Sequence, residues 1–200
     1  MGIEIINGAF EVYTAAIDTA YEDIATDTVV GWTKIGTSGN RHYGEEGVVM
    51  SSSQETQKHF LAGGTEVLKI SRSQEELIIS FTLYDLVSAQ FVKAFNLATS
   101  TTDVAPGSGT GGYQHWGILR GLTMTGLALL IRGNNKSPDL STENVQIEIP
   151  HVVQVANLEL VHNKADDAGV KFELQAVADY TYNSGNSPYG RVKIGDDPAV

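Results

Sequence analysis

Alternation of apolar and polar residues marks several stretches of the chain as strands. The stretch "EELIISFTLYD" (75–85) places four apolar side chains on one face: Leu77, Ile79, Phe81 and Leu83. A period of two that is rich in β-branched and aromatic residues is typical of a strand with one buried side. Similar stretches predict strands at 10–16, 31–36, 66–73, 113–121, 125–133 and 169–182.

A further β-rich stretch, "NVQIEIPHVVQVANLELVHN" (144–163), contains a proline in its first half. Proline has no N–H to donate to a strand ladder, so it is confined to edges, bulges and strand ends. We therefore expect Pro150 to mark a break, a bulge or an edge within this long strand.

The period changes directly after the strand that ends near residue 85. Apolar side chains then recur at the spacing of one helical face, at Val87, Phe91, Ala94, Phe95 and Ala98. Asp85 suits the N-cap, because its carboxylate can accept a free N–H of the first turn. This pattern predicts a helix over 86–98, with Val87, Phe91 and Phe95 packed on the sheet.

The order of strands, one helix and then more strands predicts a single mainly β domain over 1–200. We expect a β-sandwich or partial barrel with the helix packed outside. Gly-, Ser- and Pro-rich stretches interrupt the strands, although 48–60 could extend as a strand. The segments predicted to be irregular are an acidic N-terminal segment 1–30, a long loop 37–65, an inserted loop-rich segment 99–143 and a flexible C-terminal tail 183–200.

Charge is low and unevenly distributed. The net charge is −11, with −6 in residues 1–30, +1 in 31–138 and −6 in 139–200. This distribution argues against ordinary nucleic-acid binding, which needs a basic surface to neutralise phosphates. Only 18% of residues are charged, which fits either a loop-rich β protein or a surface covered by other subunits.

Residues that commonly carry catalysis or bind metals are absent or lie in the wrong setting. The chain has no cysteine, and its five histidines show no metal-ligand spacing. "GSGTGG" (107–112) follows a loop rather than a strand, so we interpret it as a loop and not as a dinucleotide fingerprint. The adjacent carboxylates Glu45–Glu46 and Asp166–Asp167 would point to opposite faces of a strand. We therefore expect that the protein is not an enzyme and that it has no cofactor and no metal site.

The start of the chain lacks the basic region and the apolar core of a signal peptide. The apolar run at 127–131 is too short to cross a bilayer. We therefore expect a soluble protein that is made in a cytoplasm and does not enter a membrane.

The order of four segments resembles the tail tube (major tail) proteins of long-tailed, siphovirus-like bacteriophages. In that family a short Trp-containing strand ends in Gly, a Gly-Val stretch continues with Ser and Glu, and a strand leads into a helix. The matching segments here are "GWTKIG" (31–36), "EEGVVMSSSQETQKHF" (45–60), "EELIISFTLYDLVSAQFVKAFN" (75–96) and the proline-containing β stretch 145–180. The segment 99–143 and the acidic first 30 residues depart from the family pattern.

The resemblance implies a virion protein synthesised in the host cytoplasm. Six copies would close into a ring, and the rings would stack into a tube through which genome DNA passes without specific binding. The implied partners are other copies of the chain and the tail tip, tape measure and tail terminator proteins. No cofactor is implied.

Two sets of residues are candidates for these roles. A long loop without core periodicity needs a partner, so we place ring stacking in 37–65, on Arg41, His42, Tyr43, Glu45, Glu46 and Phe60. The polar face of the strand near residue 175 could line the lumen, through Glu173, Gln175 and Asp179.

Two alternatives remain open at this point. A β-sandwich that binds carbohydrate or protein, including one that serves as another tail component, would use Trp32, Trp116 and Tyr113 as anchors. A hydrolase would need carboxylates brought together across strands, which sequence cannot reveal.

Overall fold

The computed structural model describes most of the chain. Statements about structure below concern the described residues, which are 10–24, 29–36, 43–84, 87–95, 101–105, 107, 109, 111–115, 124–134, 144–157 and 169–194. The strands are β1 Phe10–Ala15, β2 Thr33–Lys34, β3 Val49–Phe60, β4 Val67–Leu83, β5 Thr101–Val104, β6 Tyr113–His115, β7 Leu127–Asn134, β8 Asn144–Gln154, β9 Val170–Ala176 and β10 Arg191–Ile194. Helix α1 spans Ser88–Ala94, and a short 3₁₀ helix spans Tyr182–Gly185.

One antiparallel sheet contains eight of these strands. Its order is β2–β1–β7–β8–β9–β4–β3, and β10 pairs with β8 beside this path. Strands β5 and β6 form a separate hairpin. The mainly β sandwich or partial barrel predicted from the sequence is confirmed.

The sheet wraps around its larger hydrophobic core, and a smaller cluster gathers around Trp32. Strands from both ends of the path supply the side chains of the larger core, with Val12 on β1 and Phe81 on β4 in the same cluster. The rings of Phe81 and Phe172 stack with centroids 4.9 Å apart. Tyr43 joins the two ends, because it bridges to Leu83 and its hydroxyl donates to the carbonyl oxygen of Ile35 at 2.7 Å.

Pro150 lies at a bulge, as the sequence predicted. Ile149 pairs with Leu129 and Val152 pairs with Leu127, so two residues of β8 face one residue of β7. The other edge of β8 pairs with β10 as far as Glu148 and with β9 from Val152 onward. Pro150 therefore lies between the two partners, where a missing N–H costs no ladder bond.

Helix α1 is shorter than predicted. It covers Ser88–Ala94 instead of 86–98, and Val87 holds the N-cap position without a side-chain hydrogen bond. The predicted cap, Asp85, and the end of the predicted helix lie outside the described residues. Val87 is 39% exposed, so the packing predicted for it is not observed, because an N-cap residue precedes the buried stripe of the helix.

Two other residues of the predicted stripe pack on the core, and Ala98 lies outside the described residues. Phe91 packs against the core and Ala94 is fully buried. Phe95 lies beside Phe91, with ring centroids 6.4 Å apart. Lys93 reaches over β1 and donates to the hydroxyl oxygen of Thr14 at 2.7 Å, and burial lowers its pKa to about 8.

Several predicted boundaries need correction. The two strands predicted at 66–73 and 75–85 are one continuous strand, β4. The range 37–65, predicted as a long loop in which 48–60 could extend as a strand, contains β3. Within 99–143, β6 and β7 overlap the predicted strands 113–121 and 125–133, and β5 is the strand that was not predicted. The tail 183–200, predicted to be flexible, contains part of the 3₁₀ helix and β10. Within the described residues, no helix is long and apolar enough to span a bilayer.

Candidate assembly surfaces

Strand β3 and the outer part of β4 form a two-stranded hairpin that leaves the core. We call residues 49–76 the arm. Every residue of β3 is exposed, and β4 is exposed at almost every position from Val67 to Glu75. Pairing of β4 with β9 begins only at Ile78. Within the described part of the sheet, the arm therefore consists of two strands, and β3 is an edge strand.

The sequence of the arm explains why it is a strand without a buried side. The run "SSSQET" (51–56) has no apolar residue, so neither face of β3 can join a core. The arm reverses at Gly63, whose φ of 85° lies in the left-handed region that glycine tolerates. The N–H of Gly64 donates to the carbonyl oxygen of Leu61 at 3.0 Å and closes this turn.

The outer arm, by which we mean residues 56–72, has two faces that differ in chemistry. Cross-strand pairs place apolar and basic side chains together on one face, formed by Lys58, Phe60, Val67, Ile70 and Arg72. The same side of the sheet carries Ile79 of the core further along β4. The opposite face is polar, with Gln57, His59, Lys69 and Ser71. The apolar-basic face of the arm thus continues the core-facing side of the sheet into solvent.

The predicted ring-stacking residues are divided among three places. Arg41 and His42 lie outside the described residues, and Glu45 and Glu46 are exposed at a turn. Tyr43 is packed against the core, where burial raises its pKa to about 12. Of the six candidates, Phe60 lies on the arm, where it is 56% exposed.

The predicted lumen residues are divided between two places. Glu173 and Gln175 share the outer face of β9 with Ser80 and Ile78, which are their neighbours on β4. Asp179 lies beyond the end of β9. Its carboxylate accepts hydrogen bonds from the N–H and the hydroxyl of Thr181, at 2.8 and 2.6 Å, and these bonds lower its pKa.

A buried carboxylate fastens the C-terminal strand to the body. Glu148 on β8 has a fully buried side chain and accepts hydrogen bonds from Arg191 Nε and Lys193 Nζ, both at 2.6 Å. It also accepts one from the hydroxyl of Tyr182 at 2.5 Å. Burial by itself would raise the pKa of Glu148, but these donors outweigh burial and lower it. Gly190 is required beside it, because a Cβ there would lie 2.2 Å from the carbonyl oxygen of Glu148.

A cavity of about 350 Å³ opens beside this cluster, and we call it the tyrosine cavity. Its wall combines Tyr21 and Tyr182, whose ring centroids are 5.6 Å apart, with two carboxylates and Arg191. The carboxylates belong to Asp18 and Asp179. The hydroxyl of Tyr21 is buried and has no hydrogen-bond partner among the described residues, and burial raises its pKa.

The cavity unites the two acidic parts of the sequence. Asp18 comes from residues 1–30 and Asp179 from residues 139–200, each of which carries a net charge of −6. Both acidic segments are evident in the sequence, but their meeting was not predicted. The grouping of Tyr21, Tyr182 and Glu148 was not predicted either, because it depends on the pairing of β10 with β8.

Of the three aromatic anchors of the binding-module alternative, the two that the structure describes lie in different settings. Trp32 is 8% exposed, and its indole N–H donates to the carbonyl oxygen of Ala20 at 3.1 Å. Tyr113 is 58% exposed on the separate β5–β6 hairpin. Trp116 lies outside the described residues. Within the described residues, no group of three or more His, Cys, Asp or Glu side chains could hold a metal ion.

Comparison with known proteins identifies the fold. No family model matches the chain, and no curated protein matches it. Among solved structures, the chain is similar to a chain in the cryo-EM structure of the anti-feeding prophage (AFP) baseplate, which is symmetrised six-fold. The TM-score is 0.50 at 11% sequence identity, over 96% of this chain and 97% of that chain. At this identity the likeness shows a shared fold.

Proposed function

We propose that the chain is a structural subunit of a phage-type tail, and that it forms six-membered rings that stack into a tube for genome DNA. The fold similarity to a chain of the AFP baseplate, a six-fold assembly, supports a tail component. The observation that carries the proposal is the exposed arm. Its role is contact between subunits and not catalysis.

A two-stranded hairpin is marginally stable on its own in water. The arm nevertheless exposes large apolar side chains, including Phe60, Leu61, Leu68 and Ile70, each more than half exposed. Edge strands and apolar patches of this kind are typical of surfaces that another chain covers. We therefore assign subunit contact to the arm, residues 49–76, instead of the predicted range 37–65.

The outer face of β4 and β9 suits the lumen of such a tube. It carries Ser80, Glu173 and Gln175, and it has one ion pair, between Lys171 and Glu173 at 3.6 Å. A wall with little positive charge does not retain phosphates, so DNA would pass without binding. Asp179 is not part of this face.

The first test is negative-stain electron microscopy of the purified full chain, together with size-exclusion chromatography and light scattering. Rings or tubes with a central hole are the expected result. A monomer at every concentration, and also in the presence of tail-tip proteins, would contradict the proposal.

A variant with a short arm tests the assignment of the contact. Replacing residues 56–73 by Asn-Gly joins Glu55 to its partner Gln74 through a two-residue turn that suits a hairpin. We expect a folded monomer with a native near-ultraviolet circular dichroism spectrum and no tubes. Tubes formed by this variant would show that the arm is dispensable.

A further inference from the structure

The outer arm has the opposite charge to the rest of the chain. Residues 56–72 contain three bases and one acid, for a net charge of +2, whereas the remaining residues contain ten bases and 23 acids, for −13. Opposite charges on two surfaces favour their association and restrict the partners that each accepts. The whole arm, 49–76, contains three bases and four acids, so its positive charge is confined to the outer part, 56–72. The partner that this basic outer part fits best is an acidic surface of a second copy.

Lys58 is the basic side chain best placed to enter such a surface. It makes no ion pair with any described residue, whereas Arg72 on the same face is paired with Glu75. Lys58 also lies beside Phe60 and opposite Ile70, so an apolar surface accompanies its charge. Lys69 is equally unpaired but lies on the polar face.

The tyrosine cavity offers carboxylates that are not neutralised. Asp18 makes no hydrogen bond or ion pair with any described residue. The carboxylate of Asp179 accepts hydrogen bonds from Thr181 and from the backbone N–H of Tyr182, and nearby His151 also lowers its pKa. Arg191, the cation among the described wall residues, shares the Glu148 carboxylate with Lys193, so these three side chains together carry a charge of +1. With the two aspartates, the net charge of the group is −1.

The rest of the wall also suits an ammonium group with an apolar stem. Tyr21 and Tyr182 contribute aromatic rings, which attract cations, and the guanidinium of Arg191 already lies 5.6 Å from the centroid of the Tyr182 ring. Ala20, Ala128 and Pro150 supply apolar surface. Asp18 and Asn183 have positive φ values, 67° and 48°, and such backbone geometry concentrates at binding sites.

We propose that the tyrosine cavity binds the side chain of Lys58 from the arm of a second copy. The ammonium group would lie between Asp18 and Asp179, with Phe60 against the apolar part of the wall. This contact joins two different surfaces, so repeating it gives a ring or an open assembly. This proposal rests on the proposed function, because it takes the arm as the element that joins subunits. It adds the surface that receives the arm.

Disulfide cross-linking tests the contact directly, since the chain has no cysteine of its own. The full chain carrying Lys58→Cys is mixed under oxidising conditions with the full chain carrying Thr19→Cys, which lies in the cavity wall. We expect a disulfide-linked dimer of the two variants. The matched control replaces Lys58→Cys by Ser53→Cys, which is also exposed but lies near the base of the arm on its other face. Equal yields from both mixtures would overturn the proposal.

A double-mutant cycle tests the charge pairing without introducing cysteine. Lys58→Gln and Asp18→Asn each remove one charge, and asparagine tolerates the positive φ at position 18. We expect each change to raise the concentration needed for assembly by roughly tenfold, and the double variant to be little worse than either. Lys69→Gln is the control and should have a smaller effect. Additive effects of Lys58→Gln and Asp18→Asn would overturn the pairing.

These experiments separate the two proposals. If the native chain forms tubes but the cross-link and the coupling are both absent, this contact is wrong and the tail function stands. If the native chain forms no rings or tubes but the specific cross-link forms in concentrated protein, the contact stands and the tube function is wrong.

Discussion

The two ends of β4 show how differently one strand can be used. From Leu77 to Leu83 its alternate side chains enter the core, where Ile79 and Leu83 are fully buried. From Val67 to Glu75 the same strand has an exposed partner on one edge and almost no buried side chain. Hydrogen bonding to β3 runs along both parts of β4, whereas pairing with β9 on the other edge is confined, in the described sheet, to Ile78–Leu83.

Coverage of their faces distinguishes the two parts as well. In the body the sheet wraps over its larger core, whereas nothing among the described residues covers the faces of the arm. Side chains in the body should therefore determine stability, and side chains in the arm should determine association. Three predictions test this division, from the largest expected effect to the smallest.

The first prediction compares two phenylalanines. Phe172→Ala removes a fully buried ring that stacks on Phe81, and should lower the free energy of unfolding by about 3–5 kcal/mol. Phe60→Ala removes an exposed ring of the arm and should change it by less than about 0.5 kcal/mol. Urea unfolding of dilute protein, followed by tryptophan fluorescence, measures both. Similar decreases in the free energy of unfolding for the two variants would mean that Phe60 is packed in a core within the monomer.

The second prediction compares two glutamates. Glu148→Gln leaves Arg191 and Lys193 without their buried countercharge, and should lower the free energy of unfolding by about 2–3 kcal/mol at pH 7. Glu55→Gln, on the exposed arm, should have almost no effect. Chemical unfolding at pH 7 measures the difference.

The variant Glu148→Gln should also change how the free energy of unfolding depends on pH. Because the folded-state pKa of Glu148 is lowered from 4.5, its stabilisation is complete above that value and is lost as pH falls through the folded pKa. Glu148→Gln should therefore lose less stability than the native chain on acidification from pH 5 to pH 3. An unchanged acid dependence would show that other carboxylates dominate it.

The third prediction compares two lysines. Burial lowers the pKa of Lys93 to about 8, so the unfolded state binds more protons, and stability should rise by about 1 kcal/mol from pH 7 to pH 9. Lys93→Met should abolish this rise, whereas Lys58→Met on the arm should leave it intact. Thermal or urea unfolding at the two pH values provides the test, and a rise that persists in Lys93→Met would contradict it.

Elements whose signal is local were predicted well from the sequence. Strands β1 and β9 and the inner end of β4 alternate clearly, and the bulge at Pro150 follows from the missing N–H of proline. Strand β10 could not be recognised with similar assurance, because four residues in a Gly- and Pro-rich tail become a strand through Glu148 on β8. The helix start was misplaced because Asp85 is the residue that capping preferences favour, whereas Val87 holds the N-cap position without a side-chain bond.

The candidate surfaces were predicted only in part. Phe60 was identified because it ends a segment without a core pattern, but Tyr43 was assigned to the same loop although its ring belongs to the core. A local count of charge over 56–72 would have separated the arm from the acidic remainder. The tyrosine cavity has no comparable signal, since Tyr21 and Tyr182 are 161 positions apart along the printed sequence.

The continuity of β4 also has a mechanical consequence. The strand that reaches the far end of the arm is paired with β9 over six consecutive residues, from Ile78 to Leu83. A load applied along the arm would reach the body as shear, so that these ladder bonds resist it together and do not open one after another. The arm is therefore anchored in the way that best transmits force between the body and whatever the arm holds.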